Sequence, residues 1–348
     1  MTKADLLSMD MPALTAFIKE MGESAFRAKQ VRAWLNRGAV FSQMTNLSAD
    51  FRARLDRAAV ANPVRIEKTL ISKLDGTAKF LFLLADENIV EGVLMRYHHG
   101  DTVCISTQVG CKMGCKFCAS TIGGCVRSLS PGEMLGQVIA ANVWAGEGRG
   151  VRNIVLMGSG EPLDNYDAVV RFLRLVNDAE GLNISLRNVS VSTCGLVPEM
   201  IRLASEGLPV TLSVSLHAPN DEIRRSMMPI AAVYPMADVL AACRHYIERT
   251  GRRVIFEYAL VEGVNCEMRH ADELSARLRG MQCHVNLIPL NSVRERALAP
   301  PDRRAADAFL GRLKHNRISA TIRREMGADI EGACGQLRRR ALLADDIT

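Results

Sequence analysis

The chain has 348 residues, 48% of them hydrophobic, enough for a sizeable core in one large domain with small additions. No apolar run approaches the ~18 residues of a membrane span, and the opening MTKADLLSMDMPALTAFIKEMG lacks the apolar stretch of a signal peptide. These features argue against membrane and secreted classes and predict a cytoplasmic protein, in which ten cysteines act as ligands, catalytic thiols or core fillers rather than disulfide staples.

The net charge of +6 is unevenly placed. Residues 22–57 carry seven Lys/Arg against three Asp/Glu, and residues 303–340 carry ten against four, so the remainder sums to −4. Two phosphate-contacting surfaces or two solvated helix faces would both produce this pattern. Charge alone does not choose between them.

In chain order, residues 1–60 read as a small helical module. In FRAKQVRAWLNRG, Phe26, Val31, Trp34 and Leu35 fall on one face, Arg27, Lys29 and Arg32 lie elsewhere, and Gly38 is a stop; in NLSADFRARL, Ser48 is a cap candidate. Residues 61–95 change period. VRIEKTLISKL and TAKFLFLLA flank Asp75-Gly76 as a hairpin, and NIVEGVLMRY follows as a further strand.

From residue 96 to 340, strands and helices alternate. TVCIS, RNIVLMG, NVSVST, VTLSVSLH, VIFEYAL and HVNLIPL are short apolar strands separated by helical stretches such as PGEMLGQVIAANVWA and MADVLAACRHYIERT. Alternation argues for parallel strands with crossover helices, and six units are too few for a closed eight-fold barrel. The predicted fold class is α/β, a partial (β/α)6 barrel with an N-terminal helical module and a short antiparallel strand extension. A doubly wound sheet is the alternative on pattern alone. Residues 341–348 read as a tail.

The stretch QVGCKMGCKFCAS spaces Cys111, Cys115 and Cys118 as C-x3-C-x2-C directly after the first of these strands. Three thiolates are one short of the four ligands usual for zinc or an iron–sulfur cluster, and no second close pair completes a zinc site. A [4Fe–4S] cluster on three thiolates leaves one iron open to a substrate.

These residues resemble the radical S-adenosylmethionine (SAM) superfamily, including the aromatic Phe117 before the third cysteine. TVCISTQVGCKMGCKFCASTIGG, VLMGSGEPLDN and DIEGACGQL, supported by SVSLHAPNDEIR and NLIPLN, carry the resemblance further, to the RlmN/Cfr family of radical-SAM RNA methyltransferases, over nearly the whole chain. The resemblance implies a [4Fe–4S] cluster on Cys111, Cys115 and Cys118 with SAM as the missing fourth ligand. It implies two SAM molecules per turnover. Cys334 takes a methyl group from one, and a 5′-deoxyadenosyl radical from the other abstracts hydrogen from that S-methyl group. The carbon radical adds to an adenine ring carbon too electron-poor for ordinary methylation, Glu91 removes the ring proton, and Cys104 resolves the covalent adduct through a transient disulfide with Cys334.

By the same alignment Gly160, Glu161, Ser192, Ser215, Leu216, His217 and Asn291 contact SAM. Read without it, GSGEP is a weak glycine-rich turn, His217 is a core residue or a ligand, and Cys104, Cys334 and Glu91 are ordinary side chains. Cys125 and Cys194 depart from the family pattern and read as small fillers near the site. Cys243, Cys266 and Cys283 read as structural.

The substrates implied are an adenine in the peptidyl-transferase region of 23S rRNA and the adenine 3′ of the anticodon in tRNA, methylated at C2. The C8 position of the same rRNA adenine is the alternative within the family. A non-catalytic RNA-binding protein with a structural metal, and a radical-SAM enzyme inserting sulfur, are alternatives outside it. RREMG and LRRR around Cys334 would attract phosphates. A flavodoxin or ferredoxin reductant and a monomeric state complete the expectations.

Overall fold

The computed structural model describes residues 3–98, 100–146, 150–291, 293, 295–332, 336 and, as backbone, 340–341. The N-terminal module holds β1 (Ala4–Asp5), α1 (Met11–Glu20), α2 (Phe26–Leu35), α3 (Ala49–Ala58) and β2 (Ala59–Val60), with β1 and β2 paired in parallel. Ser48 caps α3 as expected, accepting the Phe51 N–H at 3.2 Å.

The face assigned to α2 differs from expectation at two positions. Phe26 is 56% exposed, with the Arg27 guanidinium stacked 4.9 Å from its ring centre, whereas Arg32 is buried and donates to the Met9 carbonyl. A long cationic side chain can enter the interior when a backbone acceptor meets its head group.

Next come β3 (Val64–Ile71), β4 (Ala78–Leu84) and β5 (Asn88–Met95), an antiparallel meander. The expected two-residue Asp-Gly turn is replaced by a wider loop closed by Ser72 N–H to the Thr77 carbonyl at 2.8 Å. The Ser72 hydroxyl accepts the Leu74 and Asp75 amides, and the Asp75 carboxylate accepts Thr77 N–H, so side chains stabilise the loop that a tight turn would have made unnecessary.

The parallel run begins at β6 (Asp101–Cys104), which pairs antiparallel with β5 on one side and parallel with β9 (Val151–Leu156) on the other. A small hairpin, β7 (Gln108–Gly110) with β8 (Cys125–Ser128), encloses the cysteine loop. Then follow α4 (Pro131–Ala145), α5 (Tyr166–Asn177), β10 (Val189–Thr193), α6 (Val197–Ala204), β11 (Thr211–Ser215), α7 (Asp221–Met227), α8 (Met236–Thr250), β12 (Val254–Leu260), α9 (Met268–Leu278), β13 (Cys283–Pro289), α10 (Arg303–His315), β14 (Ala320–Ile322) and β15 (Arg340–Ala341).

The strand order is β14-β13-β12-β11-β10-β9-β6-β5-β4-β3, with β15 against β5. The six expected units are present, and the three-residue β14 adds a seventh parallel strand that is too short and too polar to stand out in sequence. Because β5 pairs with β6, the antiparallel extension and the partial barrel share one continuous sheet.

The core sits between this sheet and its helices. On α5 the residues Val169, Phe172, Leu173 and Val176 are buried, the spacing of a helix covering a sheet; each such side chain contributes about 1.5–3 kcal/mol on burial. Leu6 and Leu7 belong to the same core, and Gly132 N–H donates to the Ser8 hydroxyl at 2.8 Å, so the N-terminal module is packed onto α4. Among the described residues no helix is long and apolar enough to cross a membrane.

Candidate active site

After Cys104 the chain leaves the sheet with its root fixed from two sides: Ser106 N–H donates to Gln137 Oε1 at 2.9 Å, and the Ser106 hydroxyl donates to the Glu91 carbonyl at 2.7 Å. At Gly110, φ is +81° and a Cβ would lie 2.0 Å from the Gly124 carbonyl oxygen, so only glycine fits. The cysteine loop is held by its backbone. Cys111 N–H donates to Gly124 O at 3.0 Å and Lys116 N–H to Met227 O at 2.9 Å; the Thr121 hydroxyl lies 3.2 and 2.9 Å from the carbonyls of Cys115 and Cys118.

All three cysteines line one cavity of about 980 Å³, mouth included, at the C-terminal ends of the parallel strands. Of the expected SAM-contacting residues, Gly160, Glu161, Ser192, Ser215, His217 and Asn291 line it too. Leu216 does not: its side chain is wholly buried in the core, and its N–H donates to the Glu257 carbonyl at 3.1 Å. Successive residues at a strand end point to opposite sides, so Ser215 and His217 face the cavity and Leu216 faces away.

Electrostatics distinguish the groups. Burial is the main cause that pushes the Cys111 thiol up to about 12, and it raises Cys115 and Cys118 as well. Thiolates there require a cation to offset their charge. Burial also raises the Glu161 carboxyl, opposed by N–H donors from Cys194 at 2.8 Å and Leu163 at 3.1 Å. A ligand ammonium would complete its pairing. Burial, with the nearby Arg224 cation, lowers His217 to about 3. Its Nδ1 accepts the Ala259 N–H at 2.9 Å, so the neutral ring carries its proton on Nε2. The left-handed φ of +53° at His217 turns the ring into the cavity, edge-on to Phe117 with centres 4.8 Å apart.

Among the described residues no three His, Cys, Asp or Glu groups converge on a point that one metal ion would occupy. A structural zinc needs four donors at about 2.0–2.3 Å, whereas a cluster distributes its thiolates over separate irons. Three thiols lining one cavity with a buried carboxylate and glycine-backed strand ends fit a cluster and its cosubstrate together.

A second cavity adjoins the first across Met157, Ile288 and Asn291, which line both. Cys104, Val93, Arg323, Met326 and Gly332 line it as well. Cys334 lies outside the described residues, as does its expected disulfide; the described chain reaches this cavity at Gly332. Glu91 lines neither cavity. It is 0% exposed and ion-paired to Lys79, itself 1% exposed, with Lys79 Nζ to Glu91 Oε2 at 3.0 Å. It nonetheless shares a face of β5 with Val93, whose partner across the ladder is Cys104.

Several residues escaped the sequence reading. Glu257, on β12, lines the first cavity, buried and bonded by Asn286 Nδ2 at 3.0 Å, and Arg224 donates from beneath to the Cys194 carbonyl at 2.7 Å. Cys194, read as a filler, lines the cavity beside them. The available signal was an ionisable residue in an otherwise apolar strand, which marks both Glu257 in VIFEYAL and Lys79 in AKFLFLL. Of the two basic ends, Lys29, Arg54, Arg303 and Arg312 have carboxylate partners, which reduces the charge offered to phosphates.

The pattern of the Radical SAM superfamily matches residues 105–274, and that of the ribosomal RNA large subunit methyltransferase N-terminal domain matches residues 4–61. The chain is 52% identical over 343 residues to a probable dual-specificity RNA methyltransferase RlmN of Alkaliphilus oremlandii, covering 98% of this chain and 99% of that one. It is 47% identical over 340 residues to the protein of the same name from Thermoanaerobacter pseudethanolicus, covering 97% and 98%. A crystal structure of a radical SAM methyltransferase from Sphaerobacter thermophilus superposes with a TM-score of 0.94 at 43% identity, covering 97% of this chain and 99% of that one. With a cysteine-lined cavity at the ends of its parallel strands and half its residues shared with such relatives over nearly its whole length, the chain belongs to the RlmN family of radical SAM methyltransferases.

Proposed function

We infer that this protein is a SAM-dependent RNA methyltransferase that forms 2-methyladenine, acting on 23S rRNA in the peptidyl-transferase region and on tRNA at the adenine 3′ of the anticodon. The observation that carries this reading is the single cavity shared by Cys111, Cys115, Cys118 and six of the seven expected SAM contacts. Cys111, Cys115 and Cys118 would hold a [4Fe–4S] cluster, which together with SAM would supply methyl groups and one-electron chemistry.

The chain's own groups do the rest. Glu161 pairs with the ligand ammonium, and the His217 Nε2–H offers a neutral donor whose tautomer does not change with pH in the physiological range. Cys334 accepts the methyl group as S-methylcysteine. Cys104, buried on the cavity that Gly332 also lines, supplies the thiol that attacks Cys334 sulfur, leaving a disulfide for cellular reduction. Glu91 takes the ring proton. Basic residues of the N-terminal module and of 303–340 contact RNA phosphates, a flavodoxin or ferredoxin supplies electrons, and the protein acts as a cytoplasmic monomer.

The test is the mass of the Cys334 peptide from protein expressed with its cluster intact. A methyl group on that cysteine, chased into RNA on turnover and lost in Cys334→Ala, is expected. A bare thiol alongside continued 5′-deoxyadenosine formation would remove the methylcysteine step and keep the radical enzyme.

A further inference from the structure

Lys79 has no part in the chemistry above, yet it is among the most deeply buried charges in the molecule. It stands on β4, directly opposite Val93 of β5, so its side chain reaches diagonally to Glu91 on the same face. Among the described residues the ammonium contacts Glu91 Oε2 at 3.0 Å and the backbone carbonyl of Glu331 at 3.0 Å. Glu331 precedes Cys334 by three residues.

The same hairpin grips the rest of that segment. The Asp75 carboxylate accepts Gly327 N–H at 3.0 Å, and Lys73 N–H donates to Asp329 Oδ2 at 2.9 Å. Within the segment Gly332 N–H returns to Gly327 O at 2.9 Å. Glu331 adopts a left-handed φ of +50°, a conformation that a non-glycine residue keeps only where its surroundings impose it. Surface pairs at the hairpin tip would suffice to hold a loop. A buried lysine is costly and requires paired oxygens, so its presence calls for a role that an apolar residue cannot fill.

We propose that Lys79 is a positioning residue that registers the Glu91 carboxylate against the 327–332 segment, setting the base and the approach to Cys334 relative to one another through a single nitrogen. This rests on the assignment of Glu91 as base and Cys334 as methyl carrier. Lys79 touches no substrate in this role. It ties the Glu91 carboxylate to the segment from which the chain continues towards Cys334.

The experiment compares cluster-loaded, Cys334-methylated wild type with Lys79→Arg, Lys79→Met, Glu91→Gln and the Lys79→Met/Glu91→Gln double variant. Single-turnover methyl transfer to RNA is followed, together with amide exchange of the 327–332 peptide in the cluster-free proteins. Lys79→Met is expected to slow transfer at saturating RNA at least about tenfold with the RNA half-saturation changed less than about twofold, because the loss is in placement of reacting groups rather than in RNA binding. Exchange of 327–332 should rise in Lys79→Met and stay at the wild-type level in Glu91→Gln. Lys79→Arg should recover part of both, and the double variant should transfer no more slowly than Glu91→Gln, because coupled groups are not additive.

Wild-type transfer and exchange in Lys79→Met, or effects of the two single substitutions that multiply in the double, would overturn the proposal. A fully active Glu91→Gln would remove the base assignment and this role with it; an impaired Glu91→Gln beside an active Lys79→Met would remove Lys79 alone. If Lys79→Met does not fold, the double variant, which leaves no unpaired charge, is compared with Glu91→Gln, and equal exchange of 327–332 in the two overturns the proposal.

Discussion

The parallel and antiparallel halves of the one sheet position their functional groups in opposite ways. In the parallel half, the expected SAM-contacting side chains that line the cavity stand at or near strand ends: Glu161 after β9, Ser192 on β10, Ser215 and His217 at the end of β11, Asn291 after β13. In the antiparallel half, Lys79 and Glu91 stand in mid-strand with both faces covered. Strand ends open on a cavity and can leave a polar group waiting for a ligand. A charge enclosed in mid-strand needs a protein partner, and here Lys79 and Glu91 serve each other.

The comparison can be broken first at its strongest point. Cys115→Ala should reduce bound iron and sulfide to background and abolish RNA methylation while the fold is retained; iron that persists at the wild-type level would mean that this cavity is not the cluster site. A smaller effect is expected at Glu161. Glu161→Gln should weaken SAM binding by about 2 kcal/mol, roughly thirtyfold in Kd, since a charge-assisted contact is lost and the single amide oxygen can accept only one of the two N–H donors that the carboxylate accepts. Calorimetry with SAM would measure it, and an unchanged Kd would place the ligand ammonium elsewhere.

A third test uses pH. The folded His217 value of about 3 lies below the ordinary value near 6.5, so the unfolded chain takes up a proton first as pH falls through that interval. The neutral ring's contribution is therefore present above about pH 6.5 and declines with acidification towards pH 3. Between pH 7 and 5 it should cost the wild type about 1–2 kcal/mol that His217→Asn does not lose, as read by urea unfolding at the two pH values. Equal losses would mean that the ring is hydrated.

The smallest effect is expected in the antiparallel half. Asp86, in the turn between β4 and β5, is held at about 2, chiefly by the Arg127 guanidinium at 2.7 Å, which also pairs with Glu133 of α4. This depressed value gives stability above the ordinary carboxylate range near 4, lost as pH falls towards 2. The pair is partly exposed, so Asp86→Asn should cost less than about 1 kcal/mol at neutral pH, measured by the shift in thermal midpoint.

The parts of the molecule most legible in sequence are those whose information is local. The C-x3-C-x2-C loop, the glycines that its turns demand and the period of the strands are each recorded within a few residues. Even the misreadings are local. The Asp-Gly turn yielded to side-chain bonds from Ser72 and Asp75, and Arg32 entered the interior because Met9 offered a carbonyl.

The sequence by itself determined the C-x3-C-x2-C spacing, the strand–helix alternation and which strand each cavity residue follows, because covalent neighbours and short periods settle those. Tertiary structure alone decided that Cys104 lines one cavity with Gly332, that Glu257 and Cys194 line the cavity of the three cysteines, and that Lys79 joins Glu91 to a carbonyl 252 residues away. No local pattern encodes such a contact. The pairing of a buried charge is fixed only when the chain has closed around it and water can no longer serve as the partner.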